Sequence, residues 1–213
     1  MDQLTLNLMR DSLTKLGITN NFLIKGIIAE VYTETAFVLK AEMSYRNTPV
    51  DRLRSIFGRK LINYSNDQLN LLKQDDVKFF DVIYGGMLGN TSPGDGFKYR
   101  GRGYNQITFK TNYQNIGSAI QVDLVNHPDE LMKGSVASLA LAEYYKQTFS
   151  TAIANGSLKA KLNITDLNQI TTAELGVKAA LQANAGFGKN LAIPFFQGVY
   201  QKALAIYPKI LFT

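Results

Sequence analysis

Apolar residues recur three and four positions apart along most of the chain, the spacing that gathers them on one side of an α-helix, and this predicts a mainly helical protein with little strand. A first helix is predicted from Thr5 to Leu16, with Gly17 standing where a left-handed cap residue is favoured. A second, from Asn21 to Thr35, carries Ile24, Ile27, Ile28 and Val31 on one stripe. Ser65 and Gln68 have capping-box spacing, and Thr171 with Glu174 repeats it ahead of a helix running to Ala183. Pro128 to Met132 reads as a helical turn, and Ser135 to Phe149 as a helix with Val136, Leu139 and Ala140 inward. The last helix, from Pro194 to Tyr207, repeats Phe195, Phe196, Val199, Tyr200, Ala203, Leu204 and Tyr207 at near-heptad spacing and is read as core.

Two stretches depart from this pattern. Glycine crowds between Tyr84 and Gly103, too densely for a helix or a well-packed strand, which marks a loop region. Residues 150–170 are polar and loosely periodic, the best candidate for an inserted or mobile segment. With no internal repeat, low-complexity tract or long linker, the chain reads as one domain over residues 1–213.

Composition narrows the chemistry. At 213 residues, 46% hydrophobic and 19% charged, the chain can bury a sizeable core without disulfides or metals. Having no cysteine, it has no thiolate nucleophile and no Cys-ligated zinc. Its single histidine, His127, lies in NHPDEL just before a proline and is read as structural, so a serine triad lacks a base and a His-based metal centre lacks ligands. GDGFKYRGRG does not have the GxGxxG spacing of a dinucleotide turn, and GFGKN lacks the Walker spacing. No metal or cofactor is expected. There is no apolar stretch of about 20 residues to span a bilayer, and Asp2, Asn7, Arg10 and Asp11 interrupt the apolar run that a signal peptide would need. A net charge of +6 and a pI near 9.4 favour an anionic partner without choosing among nucleic acid, lipid and bacterial wall; the densest basic cluster is Lys98, Arg100 and Arg102.

Carboxylates remain. Hydrolysis of a glycosidic bond needs an acid of raised pKa to protonate the leaving oxygen and a second carboxylate to activate water or stabilise positive charge. Glu34 follows Val31 by three residues and Ile27 by seven, at the C-terminal edge of an apolar stripe, where desolvation would raise its pKa. Glu30 precedes it by one turn and competes for the part; periodicity alone favours a surface position for either. Glu42, eight residues on, would lie about 12 Å from Glu34 along an unbroken helix. Inverting enzymes hold their carboxyl groups roughly 6.5 to 9.5 Å apart, so a catalytic pair requires the helix to end between them, near Phe37, Val38 and Leu39. Spacing alone also leaves Glu42 readable as an exposed loop carboxylate.

The segments YTETAF, EMSYRNTPVDRLRSIFG, VIYGGMLGN, GDGFKYRGRGYNQIT, TNYQNIG and DLVNHPDELM together resemble glycoside hydrolase family 19, the chitinases and the related cell-wall lysins of bacteriophages, and stand closer to the phage type. The resemblance covers about residues 20–145 and continues more weakly to the end. It implies a mainly α, lysozyme-like fold, two helical lobes flanking a substrate cleft; the absence of a linker or repeat adds the expectation of no separate wall-binding module. It implies Glu34 as general acid and Glu42 as candidate general base of a single-displacement, inverting reaction, with Thr108 helping to hold the attacking water. Gln106 and Asn112 would bind sugar hydroxyls and acetamido groups, Asn184 in QANAG would close the cleft from the opposite lobe, and Tyr99 and Arg102 would line or brace it.

The implied activity is cleavage of β-1,4 bonds in bacterial peptidoglycan by a monomeric lysin that neither binds nucleic acid nor inserts into membranes. Such a lysin would be released through a host membrane lesion or carried on a virion. A chitinase is the alternative enzyme, and an inactive virion or glycan-binding protein on the same fold is the alternative outside catalysis. Three departures from the family pattern stand out: Thr33 where a histidine usually precedes the acid, Ala185 in place of a glycine, and no tryptophan for sugar stacking. Stacking would fall to Tyr45, Tyr84, Tyr99 or Tyr104.

Overall fold

A computed structural model describes residues 2–212. Its α-helices in chain order are α1 (Gln3–Lys15), α2 (Asn21–Thr35), α3 (Val50–Phe57), α4 (Asn66–Leu72), α5 (Asp76–Tyr84), α6 (Asp95–Lys98), α7 (Lys110–Ile120), α8 (Gly134–Ala154), α9 (Ser157–Leu162), α10 (Ala173–Ala185) and α11 (Pro194–Ile206). Short 3-10 turns lie at Gly58–Leu61, Pro128–Met132, Leu167–Gln169 and Tyr207–Lys209. The β-pairing among the described residues is an antiparallel bridge between Arg102 and Ile107, so the protein is mainly α.

Helix starts follow cap chemistry. Asn20 accepts from the Leu23 amide, and Ser65 and Gln68 form the reciprocal capping box that their spacing predicts. At α10 the cap is Thr172, which accepts from the Leu175 amide, one residue later than predicted. Of two adjacent threonines, the one with extended backbone turns its hydroxyl onto the open first turn.

The chain divides into two compact units, residues 40–132 and residues 1–39 with 133–213. In the discontinuous unit, α10 and α11 pack on α2, and α8 packs on α1. The α2–α10 crossing is built on glycine: a Cβ at Gly26 would run into the backbone of Gly176 and Val177, and one at Gly176 into the Phe22 carbonyl. Residues 150–170 are more regular than their polarity suggests: α8 continues to Ala154, α9 follows, and Leu158, Leu162, Ile164 and Ile170 are buried, giving the polar stretch four apolar anchors. Of the stripe predicted as core over Pro194 to Tyr207, Val199, Ala203 and Tyr207 are buried, Phe196, Tyr200 and Leu204 are half-buried, and Phe195, in the first turn, is 66% exposed.

In the continuous unit, Leu53, Leu61, Leu69, Phe79 and Ile83 form a core, with Tyr45, Phe57 and Tyr84 packed against it. The glycine-rich loop is organised by carboxylates. Asp81 accepts from the Gly94 and Gly96 amides at 2.6 and 2.9 Å, and Asp95 from those of Thr91 and Ser92 at 3.1 and 3.0 Å.

Candidate active site

Helix α2 ends where a pair of catalytic carboxylates would require it to. Ala36 and Phe37 adopt left-handed backbone at φ 48° and 62°, unusual for residues other than glycine. Thr35 secures the turn: its hydroxyl donates to the Val31 carbonyl at 2.8 Å and accepts from the Phe37 amide at 3.1 Å. The Phe37 ring meets Tyr32 edge-on, with centroids 5.0 Å apart. Glu34 projects from this last turn and is exposed. Thr33, beside Glu34, spends its hydroxyl on the Ala29 carbonyl at 2.9 Å.

The desolvation anticipated at Glu34 falls instead on Glu30, which is 2% exposed. Glu30 Oε2 accepts from the Tyr145 hydroxyl at 3.1 Å, and Oε1 accepts from Asn184 Nδ2 at 2.5 Å. Burial raises the Glu30 pKa from 4.5 to about 8; the charge of Glu34 adds to the rise, and the two hydrogen bonds oppose it. The buried sector of α2 is wider than its isoleucine stripe, because helices cover it from several sides.

In the other unit, Glu42 is held on all sides. Its Oε1 accepts from the hydroxyls of Tyr45 at 2.8 Å and Tyr84 at 2.9 Å; Oε2 lies 3.1 Å from the same Tyr84 hydroxyl and accepts from the Gly101 amide at 3.3 Å. Both phenols have their rings on the aromatic and leucine core and their hydroxyls at the carboxylate. Burial, and then the neighbouring Glu42, raise both phenol pKa values well above the usual range, so both remain donors. The backbone is clamped as well: the Glu42 amide donates to the Gly101 carbonyl at 2.7 Å, and Arg100 Nε donates to the Glu42 carbonyl at 3.1 Å. Glu42 is therefore half-buried and fixed rather than a free loop carboxylate, with Oε2 the less engaged oxygen.

The segment facing Glu42 is a tight reversal closed by the Arg102–Ile107 bridge, with Gln106 at φ 50° at its tip. Gln106 Nε2 donates to the carbonyls of Lys40 and Gly103 at 3.0 and 3.1 Å, so it ties the Glu42 segment to the reversal. The Thr108 hydroxyl donates to the Gln106 carbonyl at 2.9 Å, which leaves its oxygen as an acceptor. Asn112 is exposed and donates through Nδ2 to the Thr108 carbonyl at 2.8 Å.

Tyr99 and Arg102, which the resemblance has lining or bracing the cleft, are both buried. Tyr99 is 1% exposed, its hydroxyl donating to the Val125 carbonyl at 3.2 Å. Arg102 is 3% exposed and donates to Asp129 at 2.8 Å, to the Lys98 carbonyl and to the Tyr113 hydroxyl. Burial removes Tyr99 and Tyr104 as stacking platforms, and Tyr45 and Tyr84 are committed to Glu42. Asn184 sits in the last turn of α10, half-buried against Glu30. Ala185 is still helical there, and the positive φ that a glycine supplies is taken one residue later by Gly186 at 89°. Sequence reasoning missed Tyr45 and Tyr84 as holders of Glu42, and Tyr145 as a partner of Glu30. The spacing Glu42, Tyr45 was the one local sign of the former.

Residues 87–156 match the model of glycoside hydrolase family 19, chitinase class I. A basic endochitinase from Vitis vinifera is 45% identical over 53 residues, a stretch spanning 25% of this chain and 17% of that relative. The resemblance to chitinase-like family 19 sequences therefore holds over a segment that includes Tyr99, Gly101, Arg102, Gln106, Thr108 and Asn112, while Glu34, Glu42 and Asn184 lie outside it.

Proposed function

We propose that this chain, which carries a family 19 glycoside hydrolase segment at residues 87–156, cuts β-1,4 bonds between N-acetylated sugars of bacterial peptidoglycan. The observation that carries the reading is Glu42, a carboxylate fixed by two phenols and by the amide of Gly101, a residue inside that segment. A group so held is oriented for one task. Glu42 Oε2 takes a proton from a water molecule whose other hydrogen is accepted by the Thr108 hydroxyl oxygen. That water attacks the anomeric carbon, the bond to the leaving sugar oxygen breaks, and Glu34 delivers the proton that oxygen requires, with inversion of configuration. Gln106, Asn112 and Asn184 serve the sugar or the residues that contact it. The reaction needs neither metal nor cofactor, and the chain acts as a monomer with all residues as one catalytic module, delivered through a lysed host membrane or on a particle. A net charge of +6 supports docking on an anionic wall.

A chitinase reading is favoured by the matching family model, described as chitinase class I, and by the relative named a basic endochitinase. Incubation with insoluble chitin and with purified peptidoglycan separates the two substrates. Mass spectrometry of the peptidoglycan digest identifies the reducing-end sugar and the bond cut, and early-time NMR of its anomer tests inversion. Glu34→Gln is expected to abolish clearing of wall suspensions while leaving wall binding intact, and an unchanged lytic rate would sink the assignment. Anhydro-sugar products with activity retained in Glu42→Gln would identify a lytic transglycosylase instead.

A further inference from the structure

Helix α2 carries two glutamates one turn apart, and the proposed chemistry uses only the exposed one. Glu30 is buried, and each of its oxygens is engaged by a different helix, Tyr145 from α8 at 3.1 Å and Asn184 from α10 at 2.5 Å. A buried carboxyl is a costly way to fill this space, where glutamine or leucine would avoid the penalty of removing an ionisable group from water. Its geometry offers another use. The Asn184 amide has a donor end and an acceptor end, and whichever end faces Glu30 leaves the other to face outward. An ionised carboxylate only accepts, so it takes Nδ2, the arrangement seen here; a protonated carboxyl can donate, and so can take Oδ1.

We propose that Glu30 is the positioning residue for Asn184, and that its proton decides whether Asn184 offers a bound N-acetylated sugar an acceptor or a donor. The inference rests on the reading of Asn184 as a sugar ligand. An acetamido group has both a carbonyl and an N–H, so reversing the amide changes which of them Asn184 serves. The groups bearing on Glu30 are the charge of Glu34 on its own helix and the phenols of Tyr145 and Tyr144 on α8, with α10 adding the Asn184 amide. Among the described residues no charge from α1, α10 or α11 adds to these. With Glu30 raised to about 8, the exchange between its two forms falls just above neutrality.

The test uses the full chain labelled with 15N. The Asn184 side-chain amide signals, assigned by their loss in Asn184→Ala, are followed from pH 6 to 10. They are expected to titrate with a midpoint near 8 in the wild type and to stay flat in Glu30→Gln. An unchanged titration in Glu30→Gln, or none in the wild type, overturns the proposal. Binding of the N-acetylglucosamine tetramer is measured alongside, in a Glu34→Gln background that prevents turnover. There Glu30→Ala is expected to raise Kd about tenfold and Glu30→Gln to restore it while removing its dependence on pH, a tenfold change matching one hydrogen bond to the sugar. Tight, pH-independent binding by all three chains also overturns it. If the parent binds neither the tetramer nor peptidoglycan fragments while the amide still titrates, the sugar-site reading itself has failed and the coupling of Glu30 to Asn184 stands apart from it.

Discussion

Replacing Glu30 with glutamine isolates the cost of keeping a carboxyl group inside the discontinuous unit. In the unfolded chain the group titrates near 4.5; in the folded chain burial lifts it to about 8. Between those values the unfolded chain is ionised and the folded chain protonated, so folding takes up a proton. The stability the group contributes is thus fully present below about 4.5 and is lost as pH rises toward about 8, by about 1.4 kcal/mol per pH unit, with no further loss beyond. At pH 7 the accumulated loss is on the order of 3 kcal/mol, a large fraction of the 5 to 15 kcal/mol typical of a domain. Glutamine preserves one acceptor and one donor in the same place and does not titrate. Urea unfolding of both proteins at pH 5, 6, 7 and 8, at fixed ionic strength, lets every other titrating group cancel. The glutamine variant is expected to gain on the wild type steadily across this range. Parallel stability curves would falsify the argument, since they would mean that Glu30 is hydrated in the native state.

Four further changes probe other parts of the fold. Tyr84→Phe removes the hydroxyl shared by both oxygens of Glu42; turnover on wall fragments should fall about 10- to 100-fold, the range for losing a group that orients a catalytic ligand, with a stability loss of about 1 to 2 kcal/mol. Gly101→Ala places a Cβ 2.8 Å from Gln106 Oε1 and 3.5 Å from Glu42 Oε2; because the nearer atom ends a flexible side chain, folding should survive while kcat drops, and wild-type kcat would refute the crowding. Gly26→Ala drives a methyl into the backbone of Gly176, which has no side chain to swing aside, and calorimetry should show a loss of about 3 kcal/mol. Ala36→Gly relieves a left-handed φ of 48° and should raise Tm by a few degrees, from a gain of about 1 kcal/mol.

Local chemistry was readable from sequence wherever a rule of short range applied. The capping box at Ser65 and Gln68, the bounds of α2 and the loop character of Gly85 to Gly94 all depend on residues within one or two turns, whereas α6 interrupts the rest of the glycine-rich stretch. Apolar periodicity gives the direction in which a helix buries, but not how much of its circumference is covered, and for that reason it favours a surface position for Glu30 and Glu34 alike although Glu30 is buried. The same limit applies to Phe195, which has the right spacing on α11 yet lies at a helix start. The phenols that fix Glu42 come from positions 3 and 42 residues away, and only packing of their rings on a common core brings the hydroxyls together. Arg102 and Tyr99 sit in a motif read as lining or bracing a cleft, and two of their partners, the exposed Asp129 and the Val125 carbonyl, are 27 and 26 residues distant.

The pairing of Glu30 with Asn184 spans 154 residues and its pairing with Tyr145 spans 115. On a ribosome adding about 5 to 20 residues per second, Glu30 therefore waits roughly 8 to 30 s for the asparagine. Residues 40–132, a compact unit by themselves, are complete well before then. Throughout that interval the apolar face of α2, with Ile24, Ile27, Ile28 and Val31, lacks the helices that will cover it. A glutamate in water is ionised at cellular pH, so Glu30 sets a hydrated charge beside that uncovered apolar face, the kind of interruption by which gatekeeper residues oppose self-association. The group that weakens the finished fold near neutral pH thus gives the unfinished one a charge where its apolar face is still open.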